Sequence, residues 1–241
     1  MNFAAISAAQ DSRLPYRHEI KYLINTKQLY ELKKHLPDLL QLDPHVQNNG
    51  GYKIRSLYFD DYDNSCYYAN ENGLNEKEKF RIRIYNGSAD RVRLELKIKR
   101  NGMTLKRSCP LSIDMAKDMA SGIPISWNDD MDPLLKKFYI MQETRLLKPR
   151  VIVEYDRIPY VYSDGNVRVT LDLNIGGTGC VEEFFGKELC TRQIMPAGMH
   201  LLEVKYDEFF PDFIYRMLNR KGLIHTACSK YYFCRKFGER L

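Results

Sequence analysis

The 241-residue sequence predicts an α+β fold, an antiparallel β-barrel tunnel with a polar, charged lumen and peripheral helices. Three observations predict it. Five strand-like stretches are charged on one side and apolar on the other, because successive strand residues point to opposite faces of a sheet. Tight-turn dipeptides join such stretches into antiparallel hairpins. Helical stretches fall between groups of strands instead of between every pair. The charged faces carry Arg17, Glu19 and Lys21; Arg81 and Arg83; Arg93, Glu95, Lys97 and Lys99; Arg168 and Asp172; and Glu203 and Lys205. Apolar residues such as Ile20, Ile82, Leu94, Val169 and Val204 alternate with them. If all five charged faces point inward, the sheet must close on itself, and closure also removes the edge strands.

Taken in order, residues 16–24 read as a strand. Asn25 or Thr26 then caps a helix with Leu29, Leu32, Leu36 and Leu39 at helical spacing, and Pro37 tightens or kinks its end. Gly50 and Gly51 turn the chain into a strand at 52–59, after which Asp60, Asp61, Asp63 and Asn64 form a polar turn. This acidic cluster lacks the glycine and distal glutamate of a calcium-binding EF-hand loop, so it reads as turn and helix-capping chemistry. Strands at 79–86, 90–100 and 103–108 form a meander through Asn86-Gly87 and Asn101-Gly102. Helices follow at 114–121, closed by Gly122, and at 133–147, started by Asp132 and Pro133, with Pro149 ending the region. Strands at 150–157, 158–163, 166–173 and 200–206, with a turn at Asp164-Gly165, lead to a helix that starts at Pro211 and stops at Gly222. A last helix covers roughly residues 226–237. No repeat, low-complexity linker or composition break divides the chain, which reads as one domain over 1–241 with 1–14 a flexible N-terminal segment.

A hydrophobic content of 44% supplies a core, and a net charge of +6 favours anionic partners. The positive charge is dispersed along strands, which points to a shaped site more than to a disordered nucleic-acid-binding arm. The six cysteines show no C-x-x-C pair, as befits free thiols in a reducing cytoplasm. The N-terminus lacks the regions of a signal peptide, and no window approaches the ~18 apolar residues of a membrane span. The expectation is a cytoplasmic protein, compatible with docking on a membrane-protein partner.

Other candidate sites are weaker. His18, His35, His45, His200 and His225 lack metal-binding spacing, and Gly176-Gly177-Thr178-Gly179 is followed by no P-loop lysine and reads as a flexible loop. Tyr52, Tyr58 and Tyr85 could stack on bases, a minor reading, and no nucleic acid is expected as partner. The strand faces, by contrast, are almost purely Arg, Lys and Glu. Like charges two residues apart, as at Arg81/Arg83 and Lys97/Lys99, repel unless an anion relieves them. The shared face therefore reads as a site for a polyanion and a metal ion.

These stretches resemble the VTC domain, the polyphosphate-polymerase branch of the CYTH-like triphosphate tunnel metalloenzymes. The resemblance rests on eight short segments in the family's order: residues 16–22, 54–60, 79–83, 94–97, 155–157, 168–172, 202–205 and 229–231. It implies a barrel whose interior grips ATP, triphosphate or polyphosphate, with Mn2+ or Mg2+ as cofactor, and transfer of the γ-phosphate of ATP to a growing chain. It assigns phosphate binding to Lys21, Arg81, Arg83, Lys97, Lys106, Arg157, Arg168 and Lys230, and catalysis to Arg81, Arg83, Lys97, Arg157 and Lys230. Glu203 would hold the metal, with Glu19 a second candidate. Where wider tunnel enzymes carry a further carboxylate before the first-strand lysine, this chain has Arg17, which argues against a two-metal hydrolytic site. Phosphoryl transfer needs positioning and charge neutralisation more than a protein nucleophile, so such a residue set suffices. A non-catalytic polyphosphate or inositol-phosphate sensor and a tunnel-type triphosphatase would use the same basic ligands.

Overall fold

The alternation at the start of the chain becomes β1 (His18–Asn25), and a capping box starts the next element: the Asn25 side chain accepts from the Gln28 backbone N–H at 2.9 Å while Gln28 Oε1 accepts from the Asn25 N–H at 3.0 Å. This helix is α1 (Thr26–Leu39). There follow β2 (Gln41–Leu42), β3 (Tyr52–Asp60), α2 (Ser65–Glu71), β4 (Lys77–Tyr85), β5 (Ser88–Arg100), β6 (Met103–Pro110), α3 (Ile113–Ala120) and α4 (Pro133–Arg145). The second half holds β7 (Lys148–Tyr162), β8 (Val167–Thr178), β9 (Arg192–Gln193), β10 (Met199–Tyr206), α5 (Asp212–Asn219), β11 (Ile224–His225) and α6 (Lys230–Gly238). The structure, a computed structural model, describes residues 16–46, 50–219 and 222–238, so the segment expected to be flexible at 1–14 lies outside it.

The strands form one antiparallel sheet in the order β11-β1-β10-β8-β7-β3-β4-β5-β6, with β2 on β7 and β9 on β8. Both hairpin turns of the meander have the predicted chemistry. Asn86 and Gly87 (φ 52° and 69°) and Asn101 and Gly102 (φ 48° and 78°) all occupy the left-handed region that a type I′ turn demands. The sheet curls until β6 meets the chain just before β1, where Arg17 and Thr104 exchange two backbone hydrogen bonds of 2.9 Å. Closure thus rests on one rung, so the edges are removed only in part; β11 covers β1 at Tyr22 and Leu23.

The apolar strand faces point outward onto helices. On one side Phe59, Phe80, Leu94 and Leu96 pack with Met119, Leu134 and Phe138 of α3 and α4. On another, Val169, Leu171, Leu202 and Val204 meet Leu29, Leu32 and Leu36 of α1 and Ile214 and Leu218 of α5. A third cluster lies on the inner face instead: Ile54, Tyr58, Val153 and Tyr155 share the side of Ser56, Arg81 and Arg83, and Tyr231 and Cys234 of α6 pack onto it. The predicted inside-out pattern therefore holds for the first two clusters, while under α6 the inner face is apolar and aromatic.

Several boundaries differ. The strands expected at 150–157 and 158–163 are a single strand, β7, whose register shifts at Glu154/Asp156 so that it bends without breaking. Leu39 is 37% exposed, and the inward position goes to Leu40, which leaves the helix in an extended conformation. The final helix starts at Lys230, because residues 224–225 are drawn into pairing with β1. Gly176 and Gly177 are not a flexible loop; they lie in β8, paired with both β7 and β9. A Cβ on Gly177 would come within 2.6 Å of Cys234, so glycine there lets α6 sit against the barrel. The acidic turn does cap: Asp60 accepts from the backbone N–H groups of Asp61, Cys66 and Tyr67, and Asp61 from that of Ser65.

Candidate functional site

Strand register decides which side chains share the interior. Lys21 stands opposite Glu203 and Glu19 opposite Lys205 in the β1–β10 pair, and Lys205 stands opposite Arg168 in β10–β8. Around the sheet, Asp172 faces Arg157, Arg157 faces Tyr52, and Tyr58 and Ser56 face Arg81 and Arg83. The circuit continues as Arg81 opposite Glu95, Lys79 opposite Lys97, and Lys97 opposite Lys106. Directly opposed residues lie on the same face, so these charges converge on one space. Lys230, the first residue of α6, completes the set.

That space is a channel with two reaches. The larger cavity, about 470 Å³, is lined by eleven basic side chains, including Lys21, Arg81, Arg83, Lys97, Lys106, Arg157 and Lys230, against two carboxylates, Glu19 and Glu203. The second, about 280 Å³, adds Arg17, Tyr52, Tyr85 and Arg168, and shares Glu19, Arg81, Arg83, Lys106, Arg157 and Lys205 with the first. All ten residues singled out from the sequence therefore border one continuous interior. Tyr52 and Tyr58 point there too, but their hydroxyls accept from Arg168 (2.7 Å) and Arg81 (2.9 Å), so they brace arginines.

The like charges of Arg81 and Arg83 have a partner within the chain. Glu95, 1% exposed, accepts from Arg81 Nε at 2.8 Å and Lys106 Nζ at 3.0 Å, with Arg83 3.8 Å away. A carboxylate of the chain itself already bridges the two arginines. Burial alone would raise the Glu95 carboxyl; Arg81, Arg83 and Lys106 overcome it and keep it well below the usual range. Asp172, fully buried, accepts from Arg157 Nε and Nη2 at 2.7 and 2.8 Å and pairs with Lys230 Nζ at 2.7 Å. In both cases the carboxylate engages the Nε/Nη2 side of the guanidinium, and a planar guanidinium fixed on that edge is oriented for a ligand at its tip.

Glu19 and Glu203 flank two ammonium groups. Lys21 lies 3.1 and 3.9 Å from them and Lys205 3.8 and 2.8 Å, while Lys97 Nζ reaches both oxygens of Glu19 at 2.8 Å. Burial opposes ionisation of both carboxyls, but the surrounding lysines dominate and hold both well below the ordinary range. Two anionic oxygen donors fit Mg2+ or Mn2+, which bind through one or two carboxylates plus substrate phosphates. Among the described residues no three of His, Cys, Asp and Glu gather as a metal cage, so phosphate oxygens and water would supply the remaining ligands.

Helix α6 is docked so as to hold Lys230 in the channel. The Tyr231 hydroxyl donates to buried Asp60, Arg235 donates to Asn64 Oδ1 at 3.0 Å, and the Tyr232 hydroxyl bonds Glu71 at 2.6 Å. Removing residues 226–241 would bare Tyr58, Val153 and Tyr155 and cost stability as well as Lys230. Tyr231→Phe is the gentler probe. It is expected to lower stability by about 1–3 kcal/mol in urea unfolding, because a hydrogen bond to a buried carboxylate is lost and Asp60 Oδ2 keeps the Tyr67 N–H at 3.1 Å, and to weaken tripolyphosphate binding in calorimetry through misplacement of Lys230. Unchanged values in both would mean that the helix does not position the lysine.

Sequence reasoning left out Glu95, Asp172 and Lys205 as site residues although they stood in the charged stretches. It also left out Lys79, two residues before Arg81 and on the same face. Burial, then repulsion from Lys97, pushes the Lys79 ammonium down to about 7 from its ordinary 10.5. Between those values the unfolded chain binds more protons, so this group's contribution to stability rises with pH. The wild-type midpoint should therefore rise from pH 7 to 8.5 relative to that of Lys79→Gln in thermal melts. Parallel pH profiles would rule out a strained ammonium at this position.

The VTC domain family model matches residues 16–237. The chain belongs to the VTC domain family. Among solved structures, an adenylate cyclase candidate from Bacillus halodurans matches with a TM-score of 0.53 at 14% identity, over 88% of this chain and 95% of that one. An adenylyl cyclase candidate from Hippeastrum, described as having a dominant triphosphatase activity, matches with a TM-score of 0.51 at 14% identity, over 92% and 96%. At such identities these likenesses establish the shared tunnel fold. A search of curated protein sequences finds no match. No helix among the described residues is long and apolar enough to cross a membrane.

Proposed function

We propose that this VTC domain protein is a polyphosphate polymerase that transfers the γ-phosphate of ATP to a growing phosphate chain within the barrel. One observation carries the reading: eleven basic side chains face two carboxylates along a continuous interior, the surplus of charge that a linear polyanion needs and a small neutral substrate does not.

In this reading an oxygen of the chain's terminal phosphate attacks the γ-phosphorus of ATP. The bond to the bridging oxygen breaks, ADP leaves with the electron pair, and the chain is one unit longer. Arg81 and Arg83, held by Glu95, and Arg157, held by Asp172, grip phosphate oxygens with forks fixed in advance, so little reorganisation is needed as charge shifts from attacking to leaving oxygen. Lys97, paired with Glu19, and Lys230, paired with Asp172, add point charge at the transferring group, and Lys21, Lys106 and Arg168 hold the flanking phosphates. When bound against Glu203, with Glu19 in support, a divalent cation supplies neutralisation of the transferring phosphoryl group. Arg17, whose Nε lies 2.7 Å from Asp207 Oδ1 at the second opening, leaves the first-strand position without a further carboxylate, which favours transfer over a two-metal hydrolysis.

The test is incubation of purified protein with ATP and Mn2+ or Mg2+, followed by phosphorus NMR. Signals of bridging phosphate from long chains support the proposal. Orthophosphate without chains would make the protein a triphosphatase, and intact ATP with tight polyphosphate binding would make it a sensor.

A further inference from the structure

Thirteen basic side chains, other than His18, line the two reaches of the channel, and ten of them have a carboxylate within 4 Å. Among the described residues, Lys77, Lys79 and Lys99 have none. They share one face of the β4–β5 hairpin, where Lys77 stands directly opposite Lys99 and Lys79 opposite Lys97. Like charges so placed are destabilising. Lys79 bonds only neutral acceptors, Asn70 Oδ1 at 2.9 Å and Ser229 Oγ at 3.3 Å, and its charge lies over the Tyr231 ring. The neighbouring carboxylates turn away from them: Glu78 alternates to the other face and pairs with Lys137, and Glu76 is nearest to Arg100. Burial and then Lys99 press the Lys77 ammonium below its ordinary value, as expected where no anion offsets the repulsion.

We propose that Lys77, Lys79 and Lys99 form a separate anion subsite, at the channel opening framed by α2 and the start of α6, that holds linear phosphate chains too long for the central arginine cluster. The inference rests on the phosphate-chain reading of the interior and deepens it. Lys77 lies four residues before Arg81 along β4, about 13 Å at strand rise. A triphosphate gripped at Arg81, Arg83 and Arg157 leaves these lysines unfilled, whereas a longer chain extends to them. Because the central cations already have carboxylate partners, the three lysines supply the unneutralised field at this opening, so they recognise chain length. They also keep the product attached between additions of phosphate.

The experiment compares calorimetric affinities of the wild type and the Lys77→Gln/Lys99→Gln protein for tripolyphosphate and for long-chain polyphosphate, at fixed ionic strength. The variant is expected to lose roughly tenfold in affinity for the long chain, two modest ion contacts' worth, while tripolyphosphate affinity stays within about twofold. A second variant, Lys77→Arg/Lys99→Arg, should retain long-chain affinity because charge alone is read. Equal losses for both ligands would reduce the cluster to a diffuse field effect and overturn the subsite, as would no loss for either. A wild type that shows the chain-length preference yet makes no chains from ATP supports the subsite while overturning the polymerase reading.

Discussion

Glu203→Ala is expected to abolish metal-dependent transfer from ATP, by about a hundredfold or more, while polyphosphate binding in EDTA persists or tightens. Glu203 sits on β10, 5% exposed, with Lys205 at 2.8 Å, Arg157 at 3.8 Å and Lys21 at 3.9 Å. In the absence of metal its charge repels phosphate, so removing it frees cations to attract the polyanion. With metal present, its loss leaves only Glu19 to hold the cation. Truncation also strands buried ammonium groups, so Glu203→Gln, which keeps the shape, serves as the companion. Turnover with Mn2+ and affinity in EDTA are measured on the same preparations. Full turnover would remove Glu203 from the metal site, and lost affinity with a normal fold would make it a structural residue.

Replacing Arg81 and Arg83 together by Ala should weaken tripolyphosphate binding by two to four orders of magnitude, taking about 1.5–3 kcal/mol for each charge-assisted contact. Their i, i+2 spacing on β4 turns both guanidinium groups inward, where they border both reaches of the channel. The same change leaves Glu95 with Lys106 alone and so costs stability, on the order of 3–5 kcal/mol for a broken buried pair. Adding Glu95→Gln to the double variant should restore much of the stability without restoring binding. Wild-type affinity in the folded triple variant would refute the tunnel model.

The barrel was legible because its pattern is local. Alternation of Arg81-Ile82-Arg83 or Glu203-Val204-Lys205 fixes which side is wet, and Asn86-Gly87 and Asn101-Gly102 fix where the hairpins turn. What local pattern does not carry is pairing between distant strands. The register that sets Glu95 against Arg81, and Asp172 against Arg157, depends on the whole curl of the sheet. That is why two carboxylates that orient the arginines were passed over. The glycines at Gly176 and Gly177 mislead for the same reason, since the close approach of Cys234 comes from a helix more than fifty residues further along the chain. Short pairings such as β11 on β1 have too few residues for any periodic signal.

The central claim is that the inward basic wall grips a phosphate chain with a divalent cation at Glu203. A crystal structure with tripolyphosphate and Mn2+ tests it most directly. The account predicts phosphate density inside the barrel against Arg81, Arg83, Arg157 and Lys230, with an anomalous manganese peak between Glu203 and the phosphates. An interior that stays empty of phosphate at saturating ligand, or manganese bound away from both Glu203 and Glu19, would contradict it.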